Sequence, residues 1–201
     1  LQRSQEFFEY MNRRRSVREF SDKPVDIKVI ENIIQAASTA PSGAHKQPWT
    51  FGILTNKEIK AQIRELAEKE EYENYHGRMS DSWLEDLKKF GTDWNKPFLE
   101  TAPYLIAVFK KVYDLEEGDK KNNYYVNESV GLATGYLLAS IHNAGLASLT
   151  HTPSPLNFLA KILKRPSNER PFLLLPVGYP AEDATVPEIG RKPLEEIMVK
   201  Y

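Results

Sequence analysis

The stretch NESVGLATGYLLASIHNAGLASLT, residues 127–150, places a helix directly before a strand. In its first part the apolar residues recur every three or four positions, which is the period of one face of an α-helix. These residues are Val130, Ala133, Leu137, Leu138 and Ile141. Gly145 is a residue type that commonly ends a helix, and the short apolar run at 146–150 then predicts a strand. A helix that leads straight into a strand indicates a domain in which helices cover a sheet.

Strands and helices alternate along the rest of the chain as well. Strands are predicted at residues 49–54, 104–109 and 172–177, and further helices begin at Ser4, after Asp26, at Thr55 and near residues 158 and 194. Asp26 is a typical N-cap, and Thr55 with Glu58 three residues later forms a capping box. Since no linker, repeat or low-complexity segment divides the chain, we predict one domain of the α/β or α+β class over residues 1–201.

The composition excludes several classes of protein. Hydrophobic residues make up 41% of the 201 residues, which is enough to bury a large core, so global disorder is excluded. The 27 Lys and Arg residues are balanced by 28 Asp and Glu residues, which argues against a nucleic-acid binder, because phosphate backbones require a basic excess. The absence of cysteine excludes disulfides, thiolate nucleophiles and iron–sulfur clusters.

The apolar runs and the first residue of the sequence lead to expectations about the compartment and the natural start of the chain. No apolar run approaches the roughly 18–20 residues of a membrane span, and the first residues lack an apolar signal core. We therefore expect no membrane association for these residues and a cytoplasmic protein. Because the sequence begins with Leu1 rather than Met, we expect its natural start to lie upstream.

The common catalytic motifs are missing. The sequence has no phosphate-loop pattern G-x-x-x-x-G-K-[ST], no dinucleotide pattern G-x-G-x-x-G and no nucleophile elbow G-x-S-x-G. The four histidines are scattered, and no pair of them has the spacing of metal ligands, so no metal is expected. The carboxylates at residues 68–73 form a charged run, which on a helix is usually a solvated face.

Three segments remain as candidates for a site. Arg14-Arg15-Ser16-Val17-Arg18 could hold a phosphate with bidentate guanidinium groups and a hydroxyl, although a basic helix end also serves the helix dipole. In Pro41-Ser42-Gly43-Ala44, the glycine would admit a ligand to the backbone and leave the Ala44 N–H free, or the segment is a plain turn. Thr150-His151-Thr152 ends a strand, where binding loops often lie and where threonine is also simply a good strand former.

Two regions lack an obvious core within one subunit. Residues 72–98 carry many aromatic side chains without a clear apolar period, and the tail after Tyr179 is extended up to a last short helix. Segments of this kind often find their packing partner on another subunit. We therefore expect a lid at about residues 68–98 and a C-terminal arm at about 180–201 that packs on a partner subunit.

Two motifs together resemble the nitroreductase superfamily. They are Arg-Arg-Ser-Val-Arg-x-Phe at 14–20 and Ala-Pro-Ser-Gly-x-x-x-x-Pro-Trp at 40–49. Further motifs narrow the resemblance to the iodotyrosine deiodinase branch. In the lid they are Glu71-x-x-x-Tyr75, Trp83, Asp86-Leu87-Lys88-Lys89 and Trp94-Asn95-Lys96. Elsewhere they are Ala-Pro-Ser-Gly-Ala-His at 40–45, Asn-Ala-Gly-Leu at 143–146, Leu-Pro-Val-Gly-Tyr-Pro at 175–180, Ala-Thr-Val-Pro at 184–187 and Arg-Lys-Pro-Leu at 191–194. The likeness covers nearly the whole chain after Arg13.

The resemblance implies a fold and a cofactor. It implies the nitroreductase-like α+β fold, with a central mixed β-sheet flanked by helices, in an intertwined homodimer that binds FMN at the subunit interface. The family pattern assigns the FMN site to Arg14, Arg15, Ser16, Arg18, Ser42, Gly43, Thr150, His151, Thr152 and Arg191. Among these, Thr152 would lie near the flavin N5 and is implied to be catalytic. His151 departs from the pattern, because animal members have threonine there.

The resemblance also implies a substrate. Glu71, Tyr75 and Lys96 match the lid residues that hold the amino-acid end of a halotyrosine, and the Ala44 N–H would bind and stabilise its phenolate as the second catalytic group. This set suits a zwitterion, because one anion, one cation and a neutral donor meet its two charges.

The expected reaction is reductive dehalogenation of iodotyrosine and other halotyrosines by reduced FMN, with reducing equivalents from NAD(P)H directly or through a separate flavin reductase. Two alternatives stay open at this point. One is a general FMN nitroreductase or quinone reductase that acts on other aromatics, and the other is a binding module without catalysis.

Overall fold

The computed structural model describes all 201 residues, and its centre is a four-stranded sheet of order β1-β2-β6-β5. The strands are β1 (Trp49–Leu54), β2 (Tyr104–Lys111), β3 (Tyr113–Glu116), β4 (Asp119–Asn122), β5 (Ala147–Ser148) and β6 (Glu169–Gly178). The helices are α1 (Gln2–Asn12), α2 (Ile27–Ser38), α3 (Lys57–Glu73), α4 (Asp81–Lys88), α5 (Phe98–Thr101), α6 (Val126–Asn143), α7 (Phe158–Ile162) and α8 (Leu194–Ile197). No helix combines the length and the apolar character that crossing a bilayer requires.

Strand β2 is apolar on both faces because both faces of the sheet are covered. Tyr104, Ile106 and Val108 point to a core shared with α2 and α6. Leu105, Ala107 and Phe109, the alternate residues, point to a second core shared with α3, α5 and α7. An uninterrupted apolar run is what a strand between two helical layers requires. The sheet therefore separates an α2/α6 layer from an α3/α5/α7 layer.

The predicted α+β class is confirmed, and the pairing of the strands is now defined. The three ladders of the sheet, β1 with β2, β2 with β6 and β5 with β6, are all antiparallel. The parallel component of the expected mixed sheet is limited to the bridge between Ser16 and Ser148. That bridge attaches the segment after α1 to the β5 edge of the sheet.

The helix ends agree with the sequence signals at two of three positions. The Asp26 side chain accepts a hydrogen bond from the Lys28 N–H at 2.9 Å and caps α2. Gly145 follows the end of α6 with a φ of 74°, a conformation that favours glycine. The capping box at Thr55 was wrong by one residue, because it is the Asn56 side chain that accepts the Ile59 N–H at 2.8 Å.

The antiparallel hairpin β3–β4 was not predicted from the sequence. It spans a charged segment, and β4 is exposed along its whole length, so no buried face leaves an alternating apolar pattern. Strand β5 is shorter than the predicted strand at residues 146–150. Only Ala147 and Ser148 pair with β6 in a continuous ladder, and the pairing resumes at His151 as an isolated bridge to Leu174.

The first half of the C-terminal tail packs on its own subunit. Pro180 bridges to Phe20, the Ala181 N–H donates to the Glu19 carbonyl at 3.0 Å, and the Thr185 N–H donates to the Glu19 carboxylate at 2.8 Å. Glu19 and Phe20 thus tie this half of the tail to its own chain, and the packing of the arm on a partner subunit stays a prediction. Helix α8 and the residues after it are exposed in the single chain.

Candidate active site

A cavity of about 200 Å³ lies between the segment after α1 and the C-terminal tail. Its lining residues are Arg14, Arg15, Ser16, Arg18, Phe90, Val186, Pro187, Ile189, Gly190 and Arg191. Four of these ten residues are arginines, and none is acidic. We call this space the arginine cavity. The structure thus brings together the basic residues that the sequence predicted for a phosphate, including Arg191 from the distant tail.

The guanidinium groups of the arginine cavity have no counter-charge within the chain. None of the four makes an ion pair with a carboxylate. Burial lowers the pKa of Arg14, and the neighbouring positive charges of Arg191 and Arg15 lower it further. Burial also lowers the pKa of Arg18. An uncompensated cluster of this kind is stabilised by a bound anion, and guanidinium groups suit a phosphate best.

Arg191 is held in place by the end of α1. Its Nη1 donates to the Asn12 carbonyl at 3.0 Å and to the Asn12 side chain at 2.7 Å, and its Nη2 donates to the Arg14 carbonyl at 3.1 Å. Arg15 donates from Nη1 to the Ile189 carbonyl at 3.3 Å. These bonds tie the tail to the Arg14–Arg18 segment. The alternative role, in which the arginines serve the helix dipole of α1, fits Arg14 and Arg18 less well, because both line the cavity.

Glu71, Tyr75 and Lys96 meet on the lid. The Glu71 Oε2 lies 3.6 Å from the Lys96 Nζ, and both side chains are buried, with 10% and 5% of their surface exposed. The Lys96 ammonium lies 5.5 Å from the centre of the Tyr75 ring and donates to the Thr92 hydroxyl at 3.3 Å and to the Asp93 carbonyl. The Tyr75 hydroxyl donates to the Thr92 carbonyl at 3.3 Å. The three predicted substrate residues are therefore neighbours.

Burial shifts the pKa of each member of this group. Burial raises the pKa of Glu71, and the Lys96 ammonium opposes that shift. Burial lowers the pKa of Lys96, and the Glu71 carboxylate opposes it. The pKa of Tyr75 is raised, mainly by burial, so its hydroxyl stays neutral. The pair is thus desolvated, and each charge depends on an opposite charge nearby.

Arg64 and Glu68, which lie on α3 before Glu71, support Lys96. The Glu68 Oε1 accepts the Lys96 backbone N–H at 2.7 Å and the Arg64 Nε at 2.7 Å. Arg64 also reaches Asn95 and Glu100, at 3.1 Å each. The sequence reading missed this role, because an Arg and a Glu four residues apart are normally a solvated helix pair. Of the carboxylates predicted to be a solvated face, Glu71 is the one that is buried.

The loop Ser42–Ala44 packs on α6 and contains a residue with a positive φ. The Gly43 N–H donates to the Ser129 hydroxyl of α6 at 3.3 Å, and Ala44 follows with a φ of 49°. A Cβ on Gly43 would come within 2.9 Å of the Tyr125 ring, so the close packing requires glycine here. The Ala44 N–H has no hydrogen-bond partner within the chain.

This loop is far from the other candidate residues of the same chain. Helix α6 contacts the loop at Ser129 and contacts α1 at His142, whose carbonyl accepts the Tyr10 hydroxyl. These two residues of α6 are 13 positions apart, which is roughly 20 Å along a helix, so the loop is distant from the end of α1 and the arginines after it. The loop also precedes β1, at one edge of the sheet, whereas His151 pairs at the opposite edge, roughly 14 Å away across the strands. One chain therefore keeps the predicted Ala44 N–H apart from the residues predicted for the flavin edge and the lid.

The segment Thr150–Thr152 lies beside the lid. His151 exchanges two backbone hydrogen bonds with Leu174 of β6, at 2.8 and 3.0 Å. Its buried ring packs edge-on against Phe98, with 5.6 Å between ring centres, and its Nε2 has no partner. Burial, helped by the charge of Lys96, lowers the pKa of His151 to about 3. The side chains of Thr150 and Thr152, on either side, are exposed.

Comparison with known proteins extends these observations to a family. The Nitroreductase family model matches residues 11–179. The iodotyrosine deiodinase of Haliscomenobacter hydrossis is 64% identical over 202 residues, which cover 100% of this chain and 91% of that protein. Iodotyrosine deiodinase 1 of Homo sapiens is 50% identical over 203 residues, which cover 99% of this chain and 70% of that protein.

The solved structures agree with the sequence relatives. A crystal structure of oxidized iodotyrosine deiodinase bound to FMN and 3-iodo-L-tyrosine superposes with a TM-score of 0.83 at 32% identity, over 97% of this chain and 98% of that chain. A nitroreductase with bound FMN from Bacteroides fragilis superposes with a TM-score of 0.70 at 21% identity, over 97% and 99% of the two chains, and shares the fold. This chain belongs to the nitroreductase family and, within it, to the branch of the iodotyrosine deiodinases.

Proposed function

We propose that this chain is an FMN-dependent oxidoreductase that reductively dehalogenates iodotyrosine and related halotyrosines. In the reaction the carbon–iodine bond is replaced by a carbon–hydrogen bond, so two electrons and one proton enter, and tyrosine and iodide leave. Bound FMN, reduced at the expense of NAD(P)H, supplies the two electrons. The observation that carries this proposal is the arginine cavity, which lacks any acidic residue, beside the buried pair of Glu71 and Lys96.

The arginine cavity fits the phosphate of FMN. Arg14, Arg15, Arg18 and Arg191 would bind its oxygens, and Ser16 would add a hydroxyl donor. Burial, and after it repulsion from Arg191 and Arg15, lowers the pKa of Arg14, and an entering anion would relieve that repulsion. Phe90 and the apolar tail residues of the same cavity restrict access of water, which strengthens each charge-assisted bond.

The lid fits the amino-acid end of the substrate. In the free chain Glu71 and Lys96 neutralise each other. A halotyrosine brings one ammonium and one carboxylate, so Glu71 would bind the first and Lys96 the second, while Tyr75 donates its hydroxyl. The exchange keeps both buried charges compensated, and an uncharged ring without the amino-acid group offers no such replacement.

The phenolate end would be bound by a second subunit. The Ala44 N–H lacks a partner, but the sheet topology places it at the edge remote from Thr152 and in the layer opposite to Glu71. A homodimer that sets the Ser42–Ala44 loop of one chain against the lid of its partner completes one site from the two chains. The N–H would then stabilise the phenolate by a charge-assisted hydrogen bond.

The electron-transfer step would take place beside Thr152. Its hydroxyl is exposed and has no partner within the chain, so it is free to meet the flavin edge near N5. His151 holds the preceding peptide on β6, which fixes the direction from which Thr152 approaches. We propose that the Thr152 hydroxyl hydrogen-bonds at that atom.

Anaerobic turnover with dithionite and 3-iodotyrosine tests the proposed function. The purified protein should be yellow with one FMN per subunit, sediment as a dimer at micromolar concentration and release tyrosine and iodide. Iodotyrosine should bind the oxidised protein and quench flavin fluorescence. Reduction of nitroaromatics without release of tyrosine would support the general nitroreductase instead, and binding without any turnover would support a binding module.

A further inference from the structure

We infer that Asn74 and Arg78 of the lid are positioning residues for Thr152, which they hold through the carbonyl of Ser154. The inference rests on the proposed function, because it gives Thr152 its place beside the flavin. It adds a physical connection between the part of the lid that binds the amino acid and the segment where electrons are transferred.

The contacts converge on one atom. The Asn74 Nδ2 and the Arg78 Nη1 each donate to the Ser154 carbonyl, both at 3.2 Å. Arg78 is itself fixed by the Glu70 carboxylate at 2.7 Å and by the Asn74 Oδ1 at 3.4 Å. The Asn74 side chain is buried although its neighbours Tyr72 and Glu73 are exposed. These two donors thus form a connected group and not two separate surface contacts.

The segment directly after His151 has no other hydrogen bonds, although Pro153 within it is buried. His151 is anchored to β6 by its two backbone hydrogen bonds with Leu174. From Thr152 to Pro155, the hydrogen bonds from Asn74 and Arg78 to Ser154 are the only ones that any residue makes within the chain. Thr152 therefore lies between a point fixed by the sheet and a point fixed by the lid.

The lid residues that make this contact also flank the amino-acid site. Asn74 lies between Glu71 and Tyr75 and begins a π-helical turn, Asn74–Arg78, in which the Met79 N–H donates to the Asn74 carbonyl at 2.9 Å. The wider turn interrupts the α3 pattern at this point, and such turns occur often at functional sites. Since Glu71, Asn74 and Tyr75 lie on one continuous helical stretch, a substrate that fixes Glu71 and Tyr75 also fixes Asn74, and with it Thr152.

Amide nitrogen relaxation of the FMN-loaded protein tests the inference without relying on turnover. Pro153 and Pro155 have no amide, so Thr152 and Ser154 are the two reporters in this segment. We expect their order parameters to fall from about 0.85 to below about 0.6 in Asn74→Ala, and also in Arg78→Gln, which changes a half-exposed residue. Lys69→Gln changes an exposed residue of α3 that does not touch Ser154, and it should leave these order parameters unchanged.

Activity adds a second measurement on the same variants. The ratio of iodotyrosine dehalogenation to nitroarene reduction should fall about fivefold in Asn74→Ala and Arg78→Gln, and it should stay constant in Lys69→Gln. Unchanged order parameters in both variants overturn the inference, and so do lower order parameters with an unchanged ratio. Failure of the unsubstituted protein to release tyrosine would count against the proposed function, whereas the relaxation data would still decide whether the lid anchors Thr152.

Discussion

The arginine cavity and the lid both gather charged side chains, but they compensate these charges differently. The four arginines of the cavity pair with no carboxylate. The lid balances its charges internally, with ion pairs between Glu71 and Lys96 at 3.6 Å and between Glu70 and Arg78 at 2.7 Å. One region therefore needs an external anion, and the other is neutral until a ligand replaces its internal partners.

This difference suits a permanent cofactor on one side and an exchanging substrate on the other. A preformed excess of positive charge binds a phosphate without rearrangement, because no internal ion pair must be broken. A self-compensated pair stays stable when the substrate leaves, since neither buried charge is left alone. Binding of the substrate then exchanges one set of counter-charges for another.

Breaking the buried lid pair should have the largest effect. Lys96→Gln should weaken 3-iodotyrosine binding by about 3 kcal/mol, or roughly 150-fold, because the substrate carboxylate loses its cation and Glu71 loses its partner. Binding of a halophenol, which has no zwitterion, should change less than about threefold. Titration of the flavin fluorescence measures both affinities.

The lid also provides a matched control for that change. Lys88→Gln removes a lysine of α4 whose side chain is 71% exposed and pairs with Glu85 at the surface, so it should leave both affinities as they are. If Lys96→Gln weakens the halophenol as much as iodotyrosine, Lys96 supports the lid structure and does not recognise the amino acid.

Removing one arginine from the cavity should have the next largest effect. Arg14→Ala should weaken FMN binding by about 2 kcal/mol, roughly 30-fold, within the range for hydrogen bonds to charged groups. Arg13→Ala is the control, because Arg13 belongs to the same basic run but does not line the cavity. Equilibrium dialysis of FMN compares the two. Equal losses would mean that the cluster acts only through its overall charge.

The same comparison explains what the sequence could predict. Arg14, Arg15, Ser16 and Arg18 lie close together in the sequence, so their pattern offered a phosphate site beside the alternative of a basic helix end, and the structure adds the cavity and Arg191. Glu71 and Lys96 are separated by the π-helical turn and α4, and no periodicity links them. Their pairing followed from a family resemblance and not from their spacing.

Other features left no local signal in the sequence. Hairpin β3–β4 has no buried face that would leave an alternating pattern. The distance between the Ser42–Ala44 loop and the lid depends on the strand order, which is a long-range property of the sheet. The Glu68 contact to the Lys96 N–H was concealed in a charged run whose composition is typical of a solvated helix face.

Substitution of Thr152 should have a smaller effect, and it should affect only one of the two activities. Thr152→Ala should lower the rate of iodotyrosine dehalogenation about tenfold, as expected for the loss of one hydrogen bond, while hydride-type reduction of a nitroarene is retained. The binding of FMN and iodotyrosine should stay the same, since neither the cavity nor the lid pair is altered. Thr150→Ala is the control for a neighbouring hydroxyl. An equal loss of both activities would assign Thr152 to packing.

His151 should give the smallest effect, and it depends on pH. Its pKa of about 3 in the folded chain lies below the ordinary 6.5, so the unfolded chain binds a proton there at a pH at which the folded chain does not. The stability that results is complete above pH 6.5 and is lost as the pH falls toward 3. Between pH 7 and pH 5.5, His151 should account for about 1 kcal/mol of the free energy of unfolding.

Urea unfolding of the FMN-loaded protein and of His151→Thr at the two pH values isolates this contribution, because His45, His76 and His142 are common to both proteins and cancel in the difference. The unsubstituted protein should lose about 1 kcal/mol more than the variant on acidification. An equal loss in both proteins would mean that the ring is hydrated. The isolation of the Nε2 between the lid and β6 would then be wrong, and with it the closed packing of His151 on Phe98.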